Sequence, residues 1–327
     1  MLGLNSNNHF PRLLGDIGGT NARLAWQESR DAALCDIATY PCADYESLLH
    51  AMQHYLMSHA KPAPRWCAIG IANPIVGDHV QMTNHDWSFS ISGVQKALGL
   101  ERFLVINDFT ALALSLPALS RADLLKVGGS EPVPDAPLGL IGPGTGLGVS
   151  GLLPANKLHA SVPLNGEGGH VTLAGATDLE DAVIRGLRHR FGHASAERAL
   201  SGPGLLNLYE VLCDVAGVAV RPRTAAEITA AAHAGTDAQC VQAEELFFSF
   251  LGTMAGNLAL SLGARGGVYI GGGIVPRLGH RIMASSFRAR FESKGRFKPY
   301  LAAIPVFVVN ADVSPALIGA SRALDDL

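Results

Sequence analysis

An acid placed at the end of a strand is the first candidate for chemistry. Phe103-Leu104-Val105-Ile106 is an apolar run that stops at Asn107-Asp108, and an alanine- and leucine-rich helical pattern resumes at once. In parallel α/β sheets, ligands sit just beyond the carboxyl ends of strands, so Asp108 is a candidate general base. The same dipeptide also reads as a turn with a helix cap, the commonest use of those residues between a strand and a helix.

Glycine-rich tips are the second candidate. Gly15-Asp16-Ile17-Gly18-Gly19-Thr20 joins two short apolar runs and reads as a β-hairpin whose Gly-Gly-Thr turn calls for unusual backbone angles. Such a tip presents backbone N–H groups to an anion, and Thr20 adds a hydroxyl donor, so the loop suits phosphate. Asp16 is itself an anion and suits Mg²⁺ held through water beside the phosphates. An ordinary hairpin is the plain alternative. The theme returns at Leu138-Gly139-Leu140-Ile141, which runs into Gly142-Pro143-Gly144-Thr145-Gly146 and an apolar return. Two Gly-Thr hairpins carry more weight than one, because together they can hold a polyphosphate. Gly271-Gly272-Gly273 follows a third apolar run and leads into a helix or turn opened by Pro276. Its bare backbone lets a flat ring such as adenine lie close.

Polar residues in glycine- and alanine-rich settings come third. Glu167 and His170 stand in Pro163-Leu164-Asn165-Gly166-Glu167-Gly168-Gly169-His170. As metal ligands they lack a helix to present them and a third partner. A loop for a polyhydroxylated ligand fits better, since carboxylate and imidazole both hydrogen-bond hydroxyls. Glu197, flanked by alanine, can point inward, although on its own residues a solvated glutamate is favoured. Asn73-Pro74-Ile75 reads as a strand-ending turn that can also line a crevice. Gln81 to Trp87 suits either a carbohydrate-facing loop or a surface hairpin.

The elements that must position these groups alternate strand and helix, which is an α/β pattern. Leu48, Leu49, Met52, Tyr55 and Leu56 mark one face of a helix over 45–58, and Trp66 to Ala72 reads as a buried strand. Ser130 to Pro137 is expected to be a surface loop. Thr177-Asp178-Leu179-Glu180 is a capping box that starts a helix burying Leu179, Ala182, Val183, Leu187 and Phe191. Val241 to Leu262 is apolar nearly all round, but its glutamates, Asn257 and two glycines predict a buried core helix rather than a membrane span. Pro305 to Asn310 reads as the last strand, and Ser314-Pro315 as the cap of a closing helix that packs back on the first domain.

With 327 residues and 48% hydrophobic content the chain can bury two cores. Its mean hydropathy of +0.22 speaks for a compact protein. A net charge of -3 gives no field for nucleic acid or a membrane surface, so a small-molecule partner is expected. The five cysteines, Cys35, Cys42, Cys67, Cys213 and Cys240, are scattered and never form a CxxC pair, which suggests free thiols in a reducing cytoplasm. Met1 to Arg12 reads as a loose leader without signal architecture.

Taken in order, DIGGTNARLA, TNHDWSFS, INDFTALA, GPGTGLGV, GEGGH, SAERALSGPG and GGVYIGGGIVPR resemble the proteobacterial type of ATP-dependent glucokinase, with the hexokinase, actin and heat-shock ATPase fold. The resemblance implies an α/β protein of two RNase H-like (actin-type ATPase) domains around a central cleft. It implies a small domain over 1–118 completed by a C-terminal helix over 312–327, and a large domain over 119–311. It also implies phosphorylation of D-glucose at the 6-hydroxyl, with ATP and Mg²⁺, as the first step of glycolysis in a cytoplasmic homodimer. Asp108 would be the base, and Asn107, Glu167, His170 and Glu197 would hold sugar hydroxyls. Gly15, Asp16, Ile17, Gly18, Gly19 and Thr20 would hold phosphates with Gly144 and Thr145, and Gly271, Gly272 and Gly273 would sit by adenosine. Pro143 stands where relatives often carry a smaller residue. A sugar-sensing repressor on this fold needs a DNA-reading helix pair, for which the residues ahead of Leu13 are expected to be too few. An actin-like or chaperone ATPase has no use for GEGGH with an Asn-Asp pair.

Overall fold

The computed structural model describes residues 9–83, 85–157 and 159–325. Met1 to Asn8 of the expected leader, Asn84 of the TNHDW motif and residues 326–327 of the expected C-terminal helix lie outside the described residues. The chain forms two compact units, Met1–Ser120 with Ala311–Leu327, and Arg121–Asn310.

The first unit contains β1 (Arg12–Ile17), β2 (Asn21–Gln27), β3 (Cys35–Pro41), α1 (Leu48–Ser58), β4 (Trp66–Ile71), β5 (His79–Gln81), β6 (Ser88–Ser90), α2 (Ile91–Ala97), β7 (Arg102–Asn107) and α3 (Asp108–Ser115). In the second are β8 (Leu124–Lys126), β9 (Leu138–Pro143), β10 (Leu147–Leu153), β11 (Val162–Gly166), α4 (Asp178–Phe191), α5 (Gly202–Ala216), α6 (Ala225–Ala234) and α7 (Ala238–Leu262). It continues with β12 (Val268–Ile270), α8 (Val275–Leu278), α9 (Arg281–Ala284), α10 (Phe287–Glu292), α11 (Lys298–Ala303) and β13 (Val306–Val309). The chain then returns to the first unit as α12 (Pro315–Asp325).

Both units repeat one sheet. The first has strand order β3-β2-β1-β4-β7, with an antiparallel meander on one side and parallel β1, β4 and β7 on the other. The second runs β11-β10-β9-β12-β13 in the same sense and adds antiparallel β8 at its edge. The duplicated α/β sheet is the RNase H-like arrangement of actin-type ATPases. Leu13, Leu14 and Ile17 of β1 are all buried, because helices cover both faces of a parallel sheet and the strand therefore reads as a continuous apolar run. Glycine allows the tightest contacts. A Cβ on Gly15 would come 2.6 Å from Ile69, and a Cβ on Gly319 of α12 would overlap the Ala111 carbonyl of α3.

Helix α7 is the core of the second unit, with Phe247, Phe250 and Leu251 fully buried. It is long and apolar enough to cross a membrane, yet most of its apolar window is covered by protein. Gly252 and Gly256 leave room for the backbone carbonyls of Phe287 and Phe291 on α10.

Several expectations change. The leader does not extend to Arg12, which opens β1 and is 1% exposed. Its guanidinium lies over the Phe10 ring at 4.0 Å, bonds the Ser321 carbonyl at 3.2 Å and pairs with Asp325 at 2.9 Å. Phe191 is exposed rather than buried, its ring covered by the Arg198 guanidinium at 4.2 Å. The capping box at Thr177 is only half made. The Thr177 hydroxyl accepts from the Glu180 N–H, but the Glu180 carboxylate accepts from the Ala176 N–H and from Arg290 instead. Gly18 and Gly19 turn without positive φ, so that hairpin does not need the left-handed region. Gln81 pairs with Ser88 in the β5–β6 hairpin, and Trp87 is buried with its indole N–H bonded to the Tyr45 carbonyl at 2.9 Å.

Candidate active site

In the first unit the expected base sits where a strand becomes a helix. Strand β7 ends at Asn107, and Asp108 is the first residue of α3. The Asn107 side-chain oxygen accepts from the N–H groups of Phe109 at 2.9 Å and Thr110 at 3.2 Å, so the cap reading is correct for Asn107. With its oxygen engaged, Asn107 turns its amide nitrogen toward the Asn73 carbonyl in a long contact of 3.5 Å. Capping by Asn107 leaves Asp108 free of that duty and fixes its backbone.

The Asp108 carboxyl is pushed up from 3.8 to about 6, first by burial and further by the charge of Asp16. The Phe109 N–H donates to Asp108 Oδ1 at 2.9 Å and opposes that rise by stabilising the anion. A partly buried carboxylate with this balance is ionised at neutral pH, yet basic enough to take a proton.

Gly15, Asp16 and Ile17 lie on β1, and Gly18, Gly19 and Thr20 form the turn to β2. The Gly18 N–H closes the turn on the Asn21 carbonyl at 2.9 Å, while Thr20 is exposed at the tip. Cys42 braces the loop, its N–H donating to the Thr20 carbonyl at 2.8 Å and its thiol to the Gly18 carbonyl at 3.4 Å. Asp16 Oδ2 accepts from Ser314 at 2.6 Å and from Arg23 at 3.1 Å. Because both bonds fall on one oxygen, Oδ1 is left for another partner. A single strand-end oxygen suits Mg²⁺, which keeps several waters and takes its remaining ligands from phosphates. Among the described residues no group of three His, Cys, Asp or Glu could hold a metal.

In the second unit Gly144, Thr145 and Gly146 turn β9 into β10, with Thr145 exposed at the tip as Thr20 is in the first. Glu197 lies on a 3₁₀ turn over Ala196–Arg198, and its Oε2 accepts from the Leu147 N–H at 2.9 Å. Glu167 precedes and His170 ends another 3₁₀ turn after β11, Gly168–His170, and the two side chains are largely exposed and 4.0 Å apart. Gly169 must be small because a Cβ there would overlap the Leu147 carbonyl. Leu147 is thus the meeting point of the second Gly-Thr tip, the GEGGH turn and Glu197. The third glycine stretch joins the same base. A Cβ on Gly272, whose φ is +75°, would overlap the Pro143 carbonyl, and the Ile274 N–H donates to that carbonyl at 3.2 Å. A cavity of about 260 Å³ lined by Leu124, Leu125, Pro276, His280, Val308 and Asn310 contains none of the expected site residues.

Sequence reasoning missed Ser314 and Arg23 as partners of Asp16 and left Asn73 as a turn residue. Asn73 Oδ1 accepts from both the N–H and the hydroxyl of Thr83, tying two loops of the first unit together. Its place just past β4, the neighbour of β7, was the available signal.

Residues 13–327 match the family described as "Glucokinase". A glucokinase of Aromatoleum aromaticum is 52% identical over 318 residues, 97% of this chain and 95% of that protein. One from Chromobacterium violaceum is 51% identical over 319 residues, 97% of this chain and 90% of its own. Among solved structures, a glucokinase from an Antarctic psychrotroph is 37% identical with TM-score 0.88, covering 97% of this chain and 99% of that one. A ROK family glucokinase from Streptomyces griseus, solved in complex with glucose and AMPPNP, shares the fold at 18% identity and TM-score 0.65, covering 96% of this chain and 99% of its own.

Proposed function

We infer the reaction in detail from one premise: this chain belongs to the glucokinase family, and its activity is glucose phosphorylation. We propose that ATP is the phosphoryl donor, that the 6-hydroxyl of D-glucose is the acceptor, and that Asp108 is the general base. The observation that carries the reading is Asp108 at the start of α3, its carboxyl raised to about 6 behind an asparagine that does the capping. The AMPPNP bound in the Streptomyces griseus relative supports the nucleotide.

A primary hydroxyl is a poor nucleophile until its proton is taken. Asp108 accepts that proton as the sugar oxygen attacks the γ-phosphorus. The bond to the β–γ bridging oxygen breaks, and ADP departs. The proton on Asp108 then passes to solvent. A positioned carboxylate contributes about 10² to 10⁴ in rate. The rest of the catalysis is alignment and charge stabilisation, for which the Gly18–Thr20 and Gly144–Gly146 tips offer N–H groups and the Thr20 and Thr145 hydroxyls. Glu167, His170 and Glu197 hold sugar hydroxyls, Asn107 fixes the strand end beside the base, and Gly271 to Gly273 take the adenosine. Asp16 Oδ1 would hold Mg²⁺ through water, and the ion would supply charge neutralisation on the phosphates. The reading extends to the first step of glycolysis in a cytoplasmic homodimer, and five unpaired thiols support a reducing compartment.

The test is a coupled assay of the purified protein with Mg·ATP and a panel of glucose, mannose, fructose, N-acetylglucosamine and N-acetylmannosamine. ADP-producing turnover on glucose alone is the expected result. Turnover on an amino sugar would overturn the substrate, and glucose binding without turnover would overturn the assigned reaction.

A further inference from the structure

The segment carrying Glu197 seats the second Gly-Thr loop at both ends. At the outgoing end, the Leu147 N–H donates to Glu197 Oε2 at 2.9 Å. At the incoming end, the Gly202 N–H donates to the Gly144 carbonyl at 2.8 Å. Between these two contacts Ser201 stiffens the segment. Its hydroxyl donates to the Glu197 carbonyl at 2.9 Å and accepts from the Gly204 N–H at 2.9 Å. Gly204 itself packs so tightly that a Cβ would lie 2.6 Å from the Ala199 carbonyl carbon. The carboxylate also fills the space over the middle of the loop, because a Cβ on Gly146 would come within 2.5 Å of Glu197 Oε2. The loop and the carboxylate therefore cannot move independently.

We propose that Glu197 is a positioning residue for the phosphate loop as well as a sugar ligand, and that through it glucose and nucleotide each tighten the other's binding. Oε2 is committed to the loop and Oε1 is left for a sugar hydroxyl. A hydroxyl on Oε1 restricts the rotation of the carboxylate, which holds the Leu147 N–H and with it the tip carrying Gly144 and Thr145. Phosphate bound at the tip restrains the same carboxylate from the other side. Linkage requires the effect to be equal in both directions. The inference rests on the assignment of glucose and ATP to this chain. What it adds is that one carboxylate joins their sites.

Calorimetric titrations on the full chain separate the possibilities, using glucose and Mg·AMPPNP singly and together. In the unaltered protein each ligand should lower the Kd of the other by an equal factor. Glu197→Ala should abolish that factor and, with no sugar present, raise the Kd for Mg·AMPPNP about tenfold, the effect of losing one hydrogen bond to a charged group. Glu197→Gln keeps an oxygen for the Leu147 N–H and should restore nucleotide affinity while glucose still binds weakly. Gly146→Ala pushes the carboxylate from the loop side and should raise the Kd for glucose with no nucleotide present. An unchanged nucleotide Kd in Glu197→Ala would overturn the proposal, as would an unchanged glucose Kd in Gly146→Ala. Should Glu197→Ala fail to fold, the contrast between Glu197→Gln and Gly146→Ala decides alone. Failure of the underlying assignment looks different, since the unaltered protein would then bind neither ligand.

Discussion

Ser314 donates its hydroxyl hydrogen bond to Asp16 Oδ2 at 2.6 Å, joining two residues 298 positions apart. Ser314 immediately precedes α12, so the last helix of the chain is tied to the strand that leads into the first Gly-Thr tip, proposed to hold phosphate. Arg23 pairs with the same oxygen at 3.1 Å. Asp16 is therefore held from two directions and turned so that one oxygen remains available. Ser314→Ala should raise the KM for Mg·ATP about three- to tenfold while leaving the KM for glucose unchanged, because it removes one hydrogen bond that orients the carboxylate proposed to hold Mg²⁺. Steady-state kinetics with each substrate varied in turn would show this. An equal change in both KM values would mean that Ser314 acts on the fold rather than on Asp16.

Asp16 also acts on Asp108, the proposed base. Its charge is a lesser contributor to the raised pKa of Asp108, behind burial. The acid limb of kcat/KM for glucose should fall near pH 6 as Asp108 becomes protonated and unable to accept the hydroxyl proton. Asp16→Asn should move that limb to lower pH without returning it to 3.8, since burial is unaltered. Asp108→Ala should lower kcat at least about 10²-fold and leave glucose binding intact. Full activity in that variant would remove Asp108 from the mechanism.

The same raised pKa has a consequence for stability. Because the folded protein binds the Asp108 proton more tightly than the unfolded chain does, the group favours folding at low pH, and that contribution is lost as pH rises through about 6. At pH 7.5 the ionised carboxylate is a burden on the fold. Asp108→Asn, which keeps an oxygen for the Phe109 N–H, should therefore raise stability at pH 7.5 by roughly 1 to 3 kcal/mol, and most of that gain should be gone by about pH 4, close to the pKa of the unfolded chain. Denaturant melts at the two pH values would check it. A variant less stable than the parent at pH 7.5 would refute the argument.

The sequence made local chemistry legible where it is carried by neighbours in the chain. The Asn107 cap, both Gly-Thr hairpins and the buried α7 follow from patterns within a few residues. What it concealed depends on partners far away. Glu180 has the spacing of a capping box, but Arg290 on α10 competes for its carboxylate and the Ala176 N–H takes the place of its own cap. Phe191 has the right period for the core but lies at the last turn of α4, where Arg198 supplies cover instead of the interior. No motif in the first half of the chain announces that Ser314 will reach Asp16, because that contact exists only once α12 packs on α3 and β1. The alanines near Glu197, Ala196 and Ala199, hinted at an inward carboxylate. They did not reveal that the Leu147 N–H is its partner.

The three consecutive glycines after β12 differ in what surrounds them, which separates a structural need from a ligand's need. A Cβ on Gly272 would overlap the Pro143 carbonyl, and its φ of +75° disfavours any side chain. A Cβ on Gly273 would meet nothing nearer than the Arg277 guanidinium at 3.9 Å. Gly272→Ala should therefore destabilise the protein, by about 1 to 3 kcal/mol from backbone strain alone. Gly273→Ala should leave the melting temperature unchanged. If adenosine lies against this stretch, the methyl group on Gly273 occupies space that the base uses, and the KM for Mg·ATP should rise while kcat and the KM for glucose stay as they were. Thermal melts paired with kinetics on the two variants would decide. A Gly273→Ala protein with unaltered KM for Mg·ATP would move the adenosine elsewhere, since the glycine would then be needed by neither the fold nor the nucleotide.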